Sequence, residues 1–226
     1  MFDVKTLTVG ELETNCYLLS DSQSGDTYII DPGDDADFIT ETILHHQLTP
    51  LAILLTHGHF DHVLGCLELK LNFNIPIYLN EKDKKLYSSA NQSALHWLKK
   101  NTLKVPPIDN FLKDKQKLPL GSENVAIIET PGHTPGSISI YSSFPSQYQR
   151  RGGTSTLVGE ETSQTSILFT GDTLFKDAVG RTDFSYSKPL QLTKSLEKLF
   201  KLPETTIIYP GHGEATILID EKRKHF

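Results

Sequence analysis

Short apolar and β-branched runs fill the first third of the chain, at Val4 to Val9, Asn15 to Leu19 and Tyr28 to Asp31, each closed by Gly, Asp or Pro. This punctuation predicts three consecutive strands of a meander. From Ala36 to Gln47 the spacing becomes helical. Phe38, Ile39, Ile43 and Leu44 recur on one side, behind an Asp-rich stretch suited to an N-cap. The fully apolar run Leu51 to Leu55 reads as a buried strand. A loop follows, then a helical pattern through Val63, Leu64, Leu67, Leu69 and Leu71. A strand at Ile75 to Leu79 precedes a charged helical segment from Glu81 into Ser88–Lys100, which Val105-Pro106-Pro107 breaks. Further strands are predicted at Ile108 to Leu112, Val125 to Glu129, Ser137 to Tyr141, Ile167 to Phe169 and Thr206 to Tyr209. An amphipathic helix covers Pro189 to Phe200, and a short charged tail closes the chain.

Between Ser142 and Thr165, Ser, Thr, Gln and Gly dominate. Such a stretch buries too little apolar surface to hold one conformation, so a flexible insertion at 142–165 is expected within one domain spanning 1–226. Several strands occur in succession rather than as regular βαβ units. That order favours an α/β architecture of two layered sheets with helices outside.

Composition narrows the function classes. The chain has 226 residues, 37% of them hydrophobic, enough for a sizeable core. No apolar run is long enough to span a bilayer, so no membrane partner is expected. Lys+Arg number 22 against 28 Asp+Glu, a net charge of -6 without a basic run, which argues against a nucleic-acid partner. The two cysteines, Cys16 and Cys66, lie far apart and form no scaffold of disulfides, as in a reducing compartment. Met1-Phe2-Asp3-Val4-Lys5 carries no signal or transit pattern, and a cytoplasmic location is expected.

The sharpest chemical feature is Thr56 to His62, THGHFDH, which holds His57, His59, Asp61 and His62 between a buried-strand pattern and a helix pattern. A single histidine there would be explained by a backbone hydrogen bond. Three further turns repeat the grammar of apolar strand, glycine and potential ligand: Thr130-Pro131-Gly132-His133, Thr170-Gly171-Asp172 and Pro210-Gly211-His212. Glycine permits a tight turn at a strand end, after which the next side chain can enter a shared cavity. Five of the nine histidines, with Asp61 and Asp172, fall in these four turns, so one composite metal site is expected. Seven ligands suit two ions sharing a carboxylate. His57, His59 and His133 would hold one, Asp61, His62 and His212 the other, with Asp172 as bridge. Two such divalent ions, expected to be zinc with iron or manganese as alternatives, lower the pKa of water from 15.7 to about 7 and supply hydroxide without a Ser or Cys nucleophile.

These residues resemble the metallo-β-lactamase fold superfamily, whose members share an αββα four-layer sandwich with a dinuclear site at one edge. Asn15-Cys16-Tyr17-Leu18, Thr170-Gly171-Asp172-Thr173-Leu174-Phe175 and Gly180-Arg181-Thr182-Asp183 are most similar to the glyoxalase II (hydroxyacylglutathione hydrolase) branch, in a short form without its helical C-terminal domain. The resemblance implies a thioesterase acting on S-D-lactoylglutathione or a related small-molecule thioester through attack of metal-bound hydroxide, with Asp61 and Asp172 in the catalytic centre. Glyoxalase II enzymes carry a Lys and two Tyr for glutathione; here Arg181, Asp183 and Glu214 stand at those positions. Arg181 is the candidate substrate-binding residue, against the alternative of an ion pair with Asp177 or Asp183. A second branch, the mononuclear iron persulfide dioxygenases, implies instead one iron held by His57, His133 and Asp172.

Overall fold

The computed structural model describes residues 2–145 and 164–225. In the first sheet β1 (Phe2–Val9), β2 (Thr14–Asp21), β3 (Asp26–Ile30), β4 (Thr49–Leu54), β5 (Ile77–Asn80) and β6 (Asn110–Leu112) lie in chain order. The meander predicted for the amino-terminal strands is present, with β1 to β3 antiparallel. From β3 to β6 the strands are parallel. A parallel pair needs a crossover, supplied here by α1 (Ala36–His45), α2 (Cys66–Phe73) and the pair α3 (Lys84–Ser88) and α4 (Ala90–Leu98). This half of the sheet is therefore built from βαβ units, contrary to expectation.

The second sheet runs β14 (Thr216–Ile217), β13 (Ile207–Pro210), β10 (Gln164–Gly171), β9 (Ile138–Pro145), β8 (Glu123–Glu129), β7 (Lys117–Leu120). Only β10 and β13 are parallel, joined through α5 (Pro189–Leu199); the other pairs are antiparallel. A small ribbon of β11 (Leu174–Phe175) and β12 (Ala178–Val179) lies between β10 and α5 in the chain, and α6 (Leu218–His225) closes it. Both ends of the segment expected as an insertion are strand. Ser142 to Pro145 belong to β9, and Gln164 and Thr165 to β10, because cross-strand pairing continues from Phe169–Ile140 out to Gln164–Pro145. The rest of that segment lies outside the described residues. The charged tail forms α6, where Leu218 is buried and the buried Glu221 carboxylate accepts hydrogen bonds from Thr216 Oγ1 (2.8 Å) and the Asp177 amide (2.9 Å).

Successive residues of one strand serve different layers. Cys16 and Leu18 of β2 and Ile53 of β4 pack against Ile39, Ile43 and Leu69 of the helices, whereas Tyr17, Leu19 and Leu54 face Ile127, Ile140 and Phe169 of the second sheet. On the outer side of the second sheet Ile208 meets Leu192, Leu196 and Leu218. Four layers result, α-β-β-α. A buried Leu or Ile contributes roughly 1.5–3 kcal/mol, against about 0–1 for an exposed ion pair, so the apolar layers hold the scaffold. No helix among the described residues is long and apolar enough to cross a membrane.

Candidate metal centre

The four turns predicted to carry ligands all leave the carboxyl ends of strands at one edge of the sandwich: His57 beyond β4, His133 beyond β8, Asp172 beyond β10 and His212 beyond β13. His59, Asp61 and His62 lie close behind His57, the last two in a 3-10 turn at Phe60–His62. The edge holds together through backbone bonds between these turns. Gly211 donates to the Gly171 carbonyl (2.9 Å), Asn15 donates to the Gly211 carbonyl (2.8 Å) and Ile138 to the Thr56 carbonyl (2.9 Å). Asn15 and Tyr17, noted from sequence only within a motif, are anchors: the Asn15 Nδ2 donates to the carbonyls of Pro210 (3.1 Å) and Gly213 (2.8 Å), and the Tyr17 hydroxyl to Pro210 (2.6 Å). Two turn glycines are required by crowding. A Cβ at Gly171 (φ +48°) would lie 2.3 Å from Thr56 Oγ1, and one at Gly211 would lie 2.3 Å from Asp172 Oδ1.

All of the candidate ligands come together, in two groups. His57 Nε2 and His133 Nε2 lie 3.0 and 3.1 Å from His59 Nδ1, and 4.0 and 3.5 Å from Asp172 Oδ2. His62 Nε2 lies 3.7 Å from Asp61 Oδ2 and 3.5 Å from Asp172 Oδ1; His212 Nε2 lies 3.4 and 3.8 Å from the same two oxygens. Asp172 thus presents one oxygen to each group. Its Oδ1 and His62 Nε2 are buried without a hydrogen-bond partner, which is costly unless something else meets them.

The other nitrogen of every ring has a partner, and this fixes which nitrogen faces inward. His57 Nδ1 meets Thr56 Oγ1 (3.1 Å), whose own hydrogen goes to Asp31 Oδ2 (2.5 Å), so the imidazole is the donor. His62 Nδ1 meets Asp31 Oδ2 (3.1 Å), His133 Nδ1 the Arg181 carbonyl (2.9 Å), His212 Nδ1 the Leu12 carbonyl (3.0 Å) and His59 Nε2 the Tyr186 hydroxyl (2.8 Å). With those positions donating, the inward nitrogens of His57, His59 and His133 are three lone pairs facing one another. Tetrahedral ligands at 2.0–2.1 Å from an ion stand about 3.3 Å apart, close to the spacing seen. The donor set therefore fits divalent cations.

Electrostatics divides the two groups. Burial, reinforced by the neighbouring histidines, holds the His57 pKa well below its ordinary value and lowers His59 to about 3. Burial also opposes charge on His62, but Asp172, Asp61 and Asp31 overcome it and push its pKa up to about 10. Burial acts against ionisation of Asp61 too, yet His62 and His212 hold its carboxyl well below the usual range. The same partnership raises His212 against its own burial, chiefly through its bond to Asp61.

Three positioning residues were missed in the sequence. Asp31 sits just past β3 with φ +50° and binds the Thr56 amide (2.7 Å) as well as His62. Asp83 is buried and accepts from the Gly58 amide (3.0 Å), the Gly136 amide (2.7 Å) and Thr134 Oγ1 (2.6 Å), tying the His57 turn to the His133 turn. Burial pushes the Asp83 carboxyl up despite these bonds. Tyr186 orients His59. No local pattern marks them, since each acts on turns far away in the chain. Of the two partners weighed for Arg181, Asp183 takes it: Nε and Nη2 reach the carboxylate at 2.7 and 2.6 Å, while Asp177 engages Lys224 and Glu214 engages Lys176. Arg181 still lines the cleft of about 580 Å³ that opens over His59, Asp61, His133 and Asp172.

A family model for the metallo-beta-lactamase superfamily matches residues 9–146 and 147–212. The chain is similar to the probable metallo-hydrolase YqgX of Bacillus subtilis, at 32% identity over 220 residues covering 96% of this chain and 93% of the relative. It is also similar to hydroxyacylglutathione hydrolase GloC of Haemophilus influenzae, at 33% identity over 231 residues covering 99% and 96%. Among solved structures it resembles BLEG-1 B3 metallo-beta-lactamase (TM-score 0.81, 33% identity, 98% of this chain and 97% of that one). A second is TTHA1623 in a di-iron-bound form (TM-score 0.79, 33% identity, 97% and 98%).

Proposed function

The chain belongs to the metallo-beta-lactamase superfamily, and from that premise we propose that it is a dinuclear metal-dependent hydrolase of glyoxalase II type, cleaving S-D-lactoylglutathione or a related thioester. The observation that carries this reading is the Asp172 carboxylate, whose two oxygens face different ligand groups. His57, His59 and His133 would hold one ion, Asp61, His62 and His212 the other, and Asp172 both. Bound there, the ions supply Lewis acidity and lower the pKa of water to about 7. The chain's own part is to aim the inward nitrogens: Asp31 accepts a hydrogen bond from His62 Nδ1 and the Arg181 carbonyl accepts one from His133 Nδ1, while the Tyr186 hydroxyl meets His59 Nε2. Cys16 and Cys66 are wholly buried and away from the cleft lining, so neither serves as a nucleophile. Likeness to the hydroxyacylglutathione hydrolase supports the thioester over other acyl substrates.

The test is metal quantification on protein purified without added metal, followed by a panel of a lactoyl thioester, a β-lactam and glutathione persulfide. Two ions per chain and thiol release without oxygen uptake are expected, and Asp172→Ala should abolish activity and lower occupancy of both positions. One iron per chain with oxygen consumed on the persulfide would replace this reading with the dioxygenase, and preferential β-lactam opening would replace the substrate.

A further inference from the structure

Besides the candidate ligands, the cleft is lined by a set of apolar side chains: Leu12 of the β1–β2 turn, Leu86 of α3, Trp97 and Leu98 at the end of α4, and Phe184, whose ring lies edge-on to those of His59 and His133. Trp97 is 64% exposed and Leu12 43%, so large apolar area faces water beside a polar site. Exposed apolar surface gathered in a groove marks a place where something apolar is bound. This lining is fixed in position, because α4 packs against the 3-10 turn that carries Asp61 and His62. The lining is also poor in cations. Among the described residues lining the cleft, Arg181 is the one lysine or arginine; its Nε and Nη2 are engaged by Asp183, and its guanidinium lies over the Phe184 ring at 4.5 Å. Glutathione carries two carboxylates, against this one side-chain cation already shared with Asp183.

Resting on the hydrolase reading above, we infer that Trp97, Leu86, Leu12 and Leu98 form a subsite for an uncharged, apolar group of the substrate, so that the preferred thioesters carry such a group on the thiol or the acyl side. The metal-loaded protein is assayed with S-D-lactoylglutathione, the lactoyl thioester of benzyl thiol and S-phenylacetylglutathione. At least one benzyl-bearing substrate is expected to exceed S-D-lactoylglutathione about tenfold in kcat/KM, and which one does so identifies the side. Trp97→Ala should shrink that preference to within about twofold, acting through KM at unchanged metal content. Since Trp97 is the chain's single tryptophan, its emission provides a readout independent of turnover. Titration with the S-benzyl thioether of mercaptoethanol should shift it saturably, and S-methylglutathione should not. Equal or better turnover of S-D-lactoylglutathione, or emission unmoved by the benzyl thioether, overturns the subsite. If no thioester is cleaved the thioesterase reading falls, and the emission titration alone still decides the subsite.

Discussion

Individual residues divide the candidate metal centre into halves with different proton demands. His57 and His59 are held neutral at pH 7 by burial and mutual repulsion, so no proton has to leave them when a cation arrives. His62, raised to about 10, carries a proton that a cation must displace. Binding to the Asp61, His62 and His212 group is therefore expected to strengthen about tenfold per pH unit between roughly pH 7 and 9, with about one proton released. Calorimetry in two buffers of unlike ionisation enthalpy measures that release; none at the weaker binding event would refute the assignment. In the metal-free protein the sign is fixed by the same shift. A raised folded pKa stabilises fully below the unfolded value near 6.5, and that stabilisation is lost as pH rises through about 10.

At the level of elements, turns rather than helices carry the candidate ligands, and their supports are remote in sequence. Asp83, in the 3-10 turn Glu81–Asp83 before α3, satisfies two buried amides and a hydroxyl from the two turns that carry His57 and His133. Removing such an acceptor leaves donors unpaired at about 1–3 kcal/mol each. Asp83→Ala is accordingly expected to cost on the order of 3 kcal/mol of stability and to weaken metal binding at the His57, His59 and His133 group most. Urea unfolding and metal titration would check both; unchanged affinity would show that the turns hold without it. Most long elements were readable from spacing: α5 was expected at Pro189 to Phe200 and runs Pro189–Leu199, with Leu192, Leu196 and Leu199 buried on one face. β7 was not, because Pro119 interrupts its pattern and is tolerated only where the strand is the edge of its sheet. The predicted helix from Glu81 to Lys100 is instead a 3-10 turn, α3 and α4, with the break between the helices at Ser89.

Over the whole molecule, the candidate ligands come from β4 in one sheet and β8, β10 and β13 in the other, so bound cations would pin the two sheets together at one edge. A ligand at a hundredfold excess over its Kd stabilises the folded state by about 2.7 kcal/mol, and for a chain of this size that corresponds to roughly 5–10 °C. Chelation is expected to lower the thermal midpoint by at least this much, reversibly on adding metal, as calorimetry can measure. An unchanged midpoint would mean that the edge closes without cations.

The chain's own order of residues determined the period-two and helical patterns, the strand-terminal glycines and the histidine and aspartate types that follow them, since these depend on neighbours within a few positions. Tertiary structure alone decided which oxygen of Asp172 faces which histidines, and that Asp31 and Asp83 hold the ligand turns. Those outcomes depend on distances between segments up to about two hundred positions apart, which only the packing of the two sheets brings within reach of a hydrogen bond.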